Sequence, residues 1–319
     1  MFKDKTILVT GGTGSWANEL VTQLLPQKPK QIRLYSRGEL AQVTMERKYR
    51  NPTLDFIIGD VRDYEEVEYA CHGVDYVFHM AALKHVPICQ RYPKEAIKTN
   101  IQGTENVIRA ALENHVIKVI DVSTDKACSP INTYGMTKSV GERLILSADK
   151  DSKHTRFSII RAGNVMGSNG SVIGLWMNQI KEQNKVCVTD LTMTRYFMTL
   201  PEAISLVFLA AEFKQSGGIF VMKMPACKIV DLAQVLIDTY GNAETKIEEI
   251  GIRPGEKIHE VLISRDEAIG AYCYTDNYYF IHNKDCGFPK VPFKEYASNT
   301  KLMNNAEIKT LLINGGFIK

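Results

Sequence analysis

Short apolar runs recur through the first half of the chain and predict the strands of a sheet. They are rich in β-branched residues, and segments with helical spacing, such as residues 106–112, separate them. The six predicted strands cover residues 6–9, 32–35, 55–58, 76–78, 119–122 and 157–160. Because strands that alternate with helices favour a parallel sheet covered on both faces, we expect an α/β fold with a Rossmann-like, doubly wound parallel sheet.

The pattern becomes less regular in the second half of the chain. Glycine-rich loop signals lie at residues 167–170 and 217–218, a helix is predicted at 230–240, and Arg253-Pro254-Gly255 opens a further segment. We therefore predict two units: an NADP-binding Rossmann domain over residues 1–165, and a mainly substrate-binding lobe over residues 166–319. Some segments of this smaller C-terminal lobe are expected to return to the Rossmann core.

Composition narrows the classes of partner. The 319 residues carry 39 basic and 36 acidic side chains, a formal net charge of +3, which is too balanced to indicate nucleic acid or a membrane surface as the partner. The seven cysteines form no C-x-x-C pair, so we expect neither a disulfide framework nor a metal site. No apolar run has the length of a membrane span or a signal peptide, which favours a cytoplasmic location.

A glycine-rich turn follows the first predicted strand. Residues 10–17 read Thr-Gly-Gly-Thr-Gly-Ser-Trp-Ala and open a predicted helix. Glycine permits close backbone approach, and the helix N-terminus offers unpaired N–H groups to a pyrophosphate, so this strand-turn-helix context predicts a dinucleotide site. The predicted cofactor residues of the turn are Gly11, Thr13, Gly14, Ser15 and Trp16.

The end of the second predicted strand indicates which dinucleotide binds. An NAD site usually carries an acidic residue here, whereas this chain has Ser36 and Arg37, a hydroxyl and a cation suited to a 2′-phosphate. We therefore predict NADP, although a solvated surface arginine is the alternative interpretation. Asp60 and Val61, at the end of the third strand, are expected beside the adenine, unless Asp60 merely begins a turn.

The fifth predicted strand leads into candidate catalytic residues. It is followed by Ser123-Thr124-Asp125-Lys126, and soon afterwards by Tyr134 and Lys138, which share one helical face. A lysine beside a phenol stabilises the phenolate and lowers its pKa, which makes the tyrosine a base for an alcohol under oxidation. A Y-x-x-x-K pattern alone is usually a helix surface, but this context makes it more specific.

Taken together, these motifs resemble a family, the extended short-chain dehydrogenases, and within it the UDP-N-acetylglucosamine 4,6-dehydratases that invert C5. The resemblance covers nearly the whole chain. Its motifs lie at residues 11–15, 59–63, 81–87, 98–100, 123–127, 163–165, 193–195 and 251–257.

The resemblance implies a role for each catalytic candidate. Tyr134 takes the proton of the sugar 4-hydroxyl while hydride leaves C4 for NADP. Lys126, if neutral, removes the C5 proton, and Asp125, if protonated, protonates the departing C6 hydroxyl. Hydride then returns to C6, and C5 is protonated from the opposite face. The alternative for Asp125 and Lys126 is an exposed ion pair in a loop.

Further residues follow from the same resemblance. Thr124 would bind the sugar, and Arg195 and Arg253 would hold the UDP diphosphate. The other expected substrate residues are Lys84, Asn164 and Glu256, and the other expected cofactor residues are Ala81, Ala82, Lys84 and Asn100. A UDP-sugar substrate and a homo-oligomeric assembly are also implied.

This chain departs from the family pattern on the substrate side. Ala162, Asn169 and Gly174 stand where an aromatic residue, a cation and proline are common. Three alternatives therefore accompany the dehydratase hypothesis: a sibling enzyme that returns hydride to C4 and releases a 5,6-ene sugar, a nucleotide-sugar 4-epimerase, and a non-catalytic NADP-binding redox sensor. The Asp125-Lys126 pair argues against the epimerase, and the Tyr134/Lys138 set argues against the sensor.

Overall fold

The computed structural model describes residues 1–168, 170–214 and 217–318, and a nine-stranded sheet lies at its centre. The strands are β1 Thr6–Thr10, β2 Gln31–Ser36, β3 Leu54–Ile58, β4 Tyr76–His79, β5 Lys118–Thr124, β6 Arg156–Ala162, β7 Asn164–Val165, β8 Lys185–Val188, β9 Thr194–Met198, β10 Ile219–Met222, β11 Ala226–Lys228, β12 Lys246–Glu249, β13 Val261–Ile263, β14 Ala271–Cys273, β15 Tyr278–Ile281 and β16 Tyr296–Ala297.

Twelve α-helices are found in the described residues. They are α1 Ser15–Leu24, α2 Glu39–Tyr49, α3 Tyr64–Cys71, α4 Val86–Arg91, α5 Pro93–Ile97, α6 Gly103–Glu113, α7 Thr133–Asp151, α8 Val172–Gln183, α9 Leu200–Glu212, α10 Ile229–Tyr240, α11 Arg265–Ala268 and α12 Asn305–Asn314. None of these helices is long and apolar enough to cross a membrane.

The central sheet confirms the predicted fold class. Its strand order is β14-β15-β10-β6-β5-β4-β1-β2-β3, and only the pairings of β15 with β10 and with β14 are antiparallel. All six predicted strands lie within β1 to β6, because continuous apolar runs are what a sheet covered on both faces requires. The sequence did not predict β14 and β15 as strands, although they extend the sheet at its edge.

The described residues form two apolar cores, one around the central sheet and one among helices of the second half of the chain. The larger core lies around the central sheet and includes Ile7, Val77 and Ile160. The smaller core includes Trp176 of α8 and Leu236 of α10, with α12 packed against them. The chain crosses between the two regions more than once, since β10, β14 and β15 come from residues after 166 yet belong to the central sheet.

Candidate active site

A cleft of about 910 Å³ opens at the carboxyl ends of β1, β2, β4 and β5. This edge of a doubly wound sheet is where ligands usually bind, because the strands end there and the loops leave a crevice. Both halves of the chain contribute to the lining, from the turn at Gly11 to the segment at Glu260. Most of the cofactor residues and catalytic candidates predicted from sequence lie in this lining.

The glycine turn packs tightly against the neighbouring strand ends. Gly11 has a φ of +69°, and a Cβ atom there would lie 3.0 Å from the backbone nitrogen of Ala81. Only glycine tolerates both conditions without a shift of backbone. Gly14 is the N-cap of α1 and has no side chain to accept from the helix, so the first N–H groups of α1 are not capped by a side chain.

The second strand delivers Ser36 and Arg37 to this end of the cleft. The Ser36 hydroxyl accepts hydrogen bonds from Thr13 Oγ1 at 3.3 Å and from Gln42 Nε2 at 3.1 Å. The Arg37 side chain is 55% exposed, and its Nη1 lies 3.8 Å from Asp60 Oδ2. Asp60 is held mainly by Arg62, with Oδ2 at 2.6 Å from Nη2. Burial tends to raise the pKa of Asp60, but the Arg62 hydrogen bonds lower it below its ordinary value.

These residues fit a phosphorylated dinucleotide. The glycine cradle at Gly11 and the uncapped start of α1 suit a pyrophosphate, and the exposed guanidinium of Arg37 suits a further phosphate. All the predicted cofactor residues line the cleft except Asn100 and Lys138. The predicted cofactor residues that lie in the lining are Gly11, Thr13, Gly14, Ser15, Trp16, Ser36, Arg37, Asp60, Val61, Ala81, Ala82, Lys84 and Tyr134.

Asn100 and Lys138 lie behind the described lining. The Asn100 amide bonds both backbone groups of Leu83, at 2.8 and 2.9 Å, and donates to Thr137 Oγ1 at 3.0 Å. Lys138 is buried and its Nζ lies 3.2 Å from both carboxylate oxygens of Asp121. Both side chains therefore support neighbouring segments here, and their contact with a cofactor stays a prediction.

The catalytic segment begins where β5 ends. Thr124 caps the short 3₁₀ turn Asp125–Ala127, and its hydroxyl donates to Asp125 Oδ1 at 2.9 Å. Lys126 Nζ donates to the same Oδ1 at 3.0 Å. Asp125 is fully buried, and its Oδ2 has no hydrogen-bond partner among the described residues. The structure thus makes Asp125 and Lys126 a joined, largely buried pair rather than an exposed loop pair.

The strand end that carries this segment is anchored from behind. Ser123 Oγ donates to Glu142 Oε1 at 2.6 Å, and the buried Arg161 lies 2.7 Å from the other oxygen of Glu142. Arg161 also reaches Glu267 at 2.8 Å. A buried guanidinium that is fully paired in this way holds the ends of β5 and β6 together.

Tyr134 reaches the cleft from the first turn of α7. Asn132 caps this helix by accepting from the Gly135 N–H at 2.8 Å. A Cβ atom at Gly135 would overlap the carbonyl oxygen of Lys126, so glycine lets α7 start directly against the catalytic turn. The Asn132 amide also donates to the Gly255 carbonyl at 2.7 Å, which links α7 to the segment that carries Glu256.

The charges around Tyr134 differ from the sequence-based expectation. Burial raises the pKa of Tyr134 to about 12, and the charge of Lys126 and the Thr124 hydroxyl oppose this rise. Lys138, which we predicted to lower the pKa of Tyr134, instead faces Asp121 on the buried side of α7. Lys126 is therefore the cation that acts on the phenol in this structure.

Lys126 lies between two carboxylates. Its Nζ is 3.0 Å from Asp125 and 3.4 Å from Glu260 Oε1. Burial alone would lower the pKa of Lys126, but these carboxylates raise it above its ordinary value. The sequence-based expectation was a neutral Lys126 beside a protonated Asp125. The two carboxylates therefore favour the charged form of Lys126, and a neutral Lys126 requires transfer of a proton along the 3.0 Å hydrogen bond to Asp125.

The predicted substrate residues separate into two groups. Asn164, Arg195, Glu256 and the exposed Lys84 line the cleft, whereas Arg253 is exposed and outside its described lining. Arg195 is buried, and its guanidinium donates to the carbonyls of Thr194, Lys257 and Ile258 at 2.7 to 3.1 Å. Those bonds leave Arg195 little capacity for a diphosphate. Glu256 Oε2 is buried without a hydrogen-bond partner in the described residues.

Sequence reasoning missed Glu260. It is buried and lines the cleft beside Lys126, but it comes from a distant part of the chain and belongs to no local pattern. Of the three departures from the family pattern, Ala162 is buried at the cleft and Gly174 lies in α8, while Asn169 lies outside the described residues. No group of three or more metal-ligating side chains occurs in the part of the chain that the structure describes.

Comparisons with known proteins find relatives that match this chain over its whole length. Two curated relatives named UDP-glucose 4-epimerase, from Rickettsia rickettsii (strain Sheila Smith) and Rickettsia bellii (strain RML369-C), are 43% and 44% identical, over 100% of this chain and 98% of each relative. The X-ray structure of Pen from Bacillus thuringiensis is 40% identical, with a TM-score of 0.95 over 100% of both chains.

A more distant structure shares the fold alone. The dTDP-glucose 4,6-dehydratase DesIV from Streptomyces venezuelae, with NAD and TYD bound, is 21% identical with a TM-score of 0.73, over 79% of this chain and 86% of that chain.

A family model described as polysaccharide biosynthesis protein matches residues 7–282. With this match over most of the sequence, the chain belongs to the polysaccharide biosynthesis protein family.

Proposed function

We propose that this protein is an NADP-dependent dehydratase of the extended short-chain dehydrogenase type, which converts UDP-N-acetylglucosamine into a 4-keto-6-deoxy sugar with inversion at C5. The observation that carries the proposal is the buried Asp125–Lys126 pair beside Tyr134, with Asp125 Oδ2 unpartnered in the described lining. Elimination of water needs an acid and a base next to each other. An ion pair with only a structural role usually lies in solvent, whereas this pair is largely buried in the cleft.

The chain's own residues would divide the proton transfers between them. Tyr134 takes the proton of the 4-hydroxyl, which Thr124 steadies. A bound nicotinamide would supply the redox chemistry, by accepting hydride from the sugar and returning it. The resulting ketone acidifies the C5 proton, Lys126 removes that proton, and Asp125 protonates the departing C6 hydroxyl. Water leaves, the hydride taken from C4 would be returned to C6, and a proton from solvent is added to C5 on the opposite face.

The protonation states required follow from the geometry of the pair. Lys126 can act as a base only after it has lost its proton, and Asp125 can act as an acid only after it has gained one. A single transfer along their 3.0 Å hydrogen bond achieves both without a change in net charge. The elimination itself restores the starting state, because Lys126 gains the C5 proton and Asp125 gives up its own, so the pair can work again in the next cycle.

A 4-epimerase is the second candidate function, because the Rickettsia relatives carry that name at 43–44% identity. Epimerisation requires proton transfer only at the 4-oxygen, for which Tyr134 and Thr124 suffice. It gives Asp125 and Lys126 no task as an acid and a base at C5 and C6. The dehydratase therefore explains more of the buried cleft than the epimerase does.

Proton NMR in D₂O separates these candidates. Purified protein would be incubated with NADP and either UDP-N-acetylglucosamine or UDP-glucose. We expect a C6 methyl signal and a carbon-bound deuteron at an inverted C5 from UDP-N-acetylglucosamine.

Each other outcome points to a different function. Exocyclic methylene signals without carbon-bound deuterium would replace the proposal by the sibling 5,6-dehydratase. A galacto-configured product that has lost no water would identify an epimerase. The absence of any product, from protein shown to bind NADP, would favour the redox sensor.

A further inference from the structure

Glu260 is a buried carboxylate to which the proposed reaction assigns no role. The residue is 1% exposed and lies just before β13, with Oε1 at 3.4 Å from Lys126 Nζ and 3.8 Å from Arg195 Nε. Its Oε2 is buried without a hydrogen-bond partner in the described structure. A carboxylate is costly to bury unless it is compensated, and here the compensation comes from a proposed catalytic lysine.

The backbone of Glu260 is held independently of Lys126. Its N–H donates to Ser298 Oγ at 3.0 Å, and its carbonyl accepts from the Ser298 N–H at 2.8 Å. Ser298 Oγ in turn lies 2.6 Å from Thr194 Oγ1 of β9. Three segments that are distant in sequence thus fix the backbone of Glu260, so this residue can act as a fixed reference for the lysine side chain.

We propose that Glu260 is the positioning residue for Lys126: together with Asp125 it holds the lysine nitrogen at the cleft and stabilises the ammonium that forms when Lys126 takes the C5 proton. This inference rests on the proposed dehydratase function. In that step the C5–H electrons form the C5–C6 double bond, and the C6–O bond breaks. The proton of Asp125 leaves with the hydroxyl as water, and Lys126 becomes an ammonium between two carboxylates.

Four ionisable groups face Lys126 from the elements around it. Asp125 lies in the same turn, Glu260 precedes β13, Arg195 comes from β9 and Tyr134 from α7. Asp125 and Glu260 favour the protonated lysine, whereas Arg195 opposes it. Without the charge of Glu260, Arg195 would lose its counter-charge, and Lys126 would lose a negative charge that stabilises its ammonium. Both changes lower the affinity of Lys126 for a proton.

The first test measures that affinity directly. In protein labelled with ¹⁵N-lysine, the Nζ signal of Lys126 would be assigned by its loss in Lys126→Ala and then followed against pH. The variants compared are Glu260→Gln, Glu260→Asp and Glu244→Gln; Glu244 is an exposed acid in the loop after α10 and does not line the described cleft. We expect Glu260→Gln to lose the ammonium signal about 1–3 pH units below the unaltered protein, the usual effect of a nearby charge.

The second test follows dehydration in the same variants. Glu260→Gln should lower kcat by about 10²-fold, with a smaller change in KM, and should move both limbs of the pH profile towards lower pH. Glu260→Asp keeps the charge and should recover part of the rate, while Glu244→Gln should match the unaltered protein.

Several outcomes would overturn the role of Glu260. Unchanged titration of Lys126 in a folded Glu260→Gln variant would do so, as would a slower reaction with an unmoved pH profile, which indicates a merely structural residue. If Glu260→Gln failed to fold, the titration of the unaltered protein would decide. Loss of the Lys126 ammonium signal at the same pH as that of exposed lysines would overturn the role of Glu260. If the unaltered protein released no dehydrated sugar, the proposed function would fail, but the titration would still decide the role of Glu260.

Discussion

The proposed cofactor end and the proposed sugar end of the cleft are built in different ways. At the cofactor end, one continuous turn at residues 11–16 and the ends of neighbouring strands present backbone groups, with Arg37 as an added cation. At the sugar end, side chains from separate stretches of the chain meet, and Lys126 and Arg195 are compensated by Asp125 and Glu260. The first end depends on backbone shape, and the second on the balance of buried charges.

This difference predicts that side-chain changes at the sugar end have the largest effects. Tyr134→Phe removes the only proposed proton acceptor for the 4-hydroxyl, so we expect turnover to fall by about 10²–10⁴-fold while NADP binding is retained. Lys126→Ala and Asp125→Asn should lose dehydration by about 10²-fold or more, yet still oxidise C4, because that step uses Tyr134. Single-turnover absorbance of the reduced nicotinamide, followed together with NMR of the product, measures the two steps separately.

The separation of the two steps is the informative part of that experiment. If Asp125→Asn and Lys126→Ala dehydrated the sugar at near-normal rates, the acid and base would have to be sought elsewhere in the cleft. If both variants also failed to oxidise C4, the charge pair would serve Tyr134 rather than C5 and C6. The structure offers a route to the second result, since the charge of Lys126 opposes the rise that burial causes in the pKa of Tyr134.

The same contrast explains what the sequence could predict. The turn at Gly11 and the segment from Thr124 to Lys126 follow predicted strands directly, so local pattern was enough to place them at the cleft. Glu260 meets Lys126 only through the tertiary fold, and no spacing along the chain reports such a contact. The ion pair of Lys138 with Asp121 escaped prediction for a related reason. Helical spacing indicated the shared face with Tyr134, but not that Asp121 of β5 lies against it.

At the cofactor end, the largest side-chain effect is expected from Arg37. The proposed binding of NADP rests on its exposed guanidinium and on the Ser36 hydroxyl. Arg37→Asp replaces attraction for a 2′-phosphate by repulsion, so NADP should bind about tenfold or more weakly and NAD should become the preferred dinucleotide. Fluorescence titration with both dinucleotides measures the ratio. Tighter binding of NAD by the unaltered protein would contradict the assignment of NADP.

The smallest effect is expected from Arg253, which the sequence pattern placed on the UDP diphosphate. Its side chain is exposed and outside the described cleft lining, so its charge acts through solvent. Arg253→Ala should therefore raise KM for the UDP-sugar by less than about fivefold, which corresponds to the small energy of an exposed charge pair. Lys309→Ala, an exposed cation on α12, serves as the control for a general change in charge. A rise in KM of more than about tenfold for Arg253→Ala alone would match a charge-assisted hydrogen bond to phosphate. It would show that the segment from Gly251 to Gly255 moves onto the substrate, and that the sugar end, unlike the cofactor end, is completed only when its ligand binds.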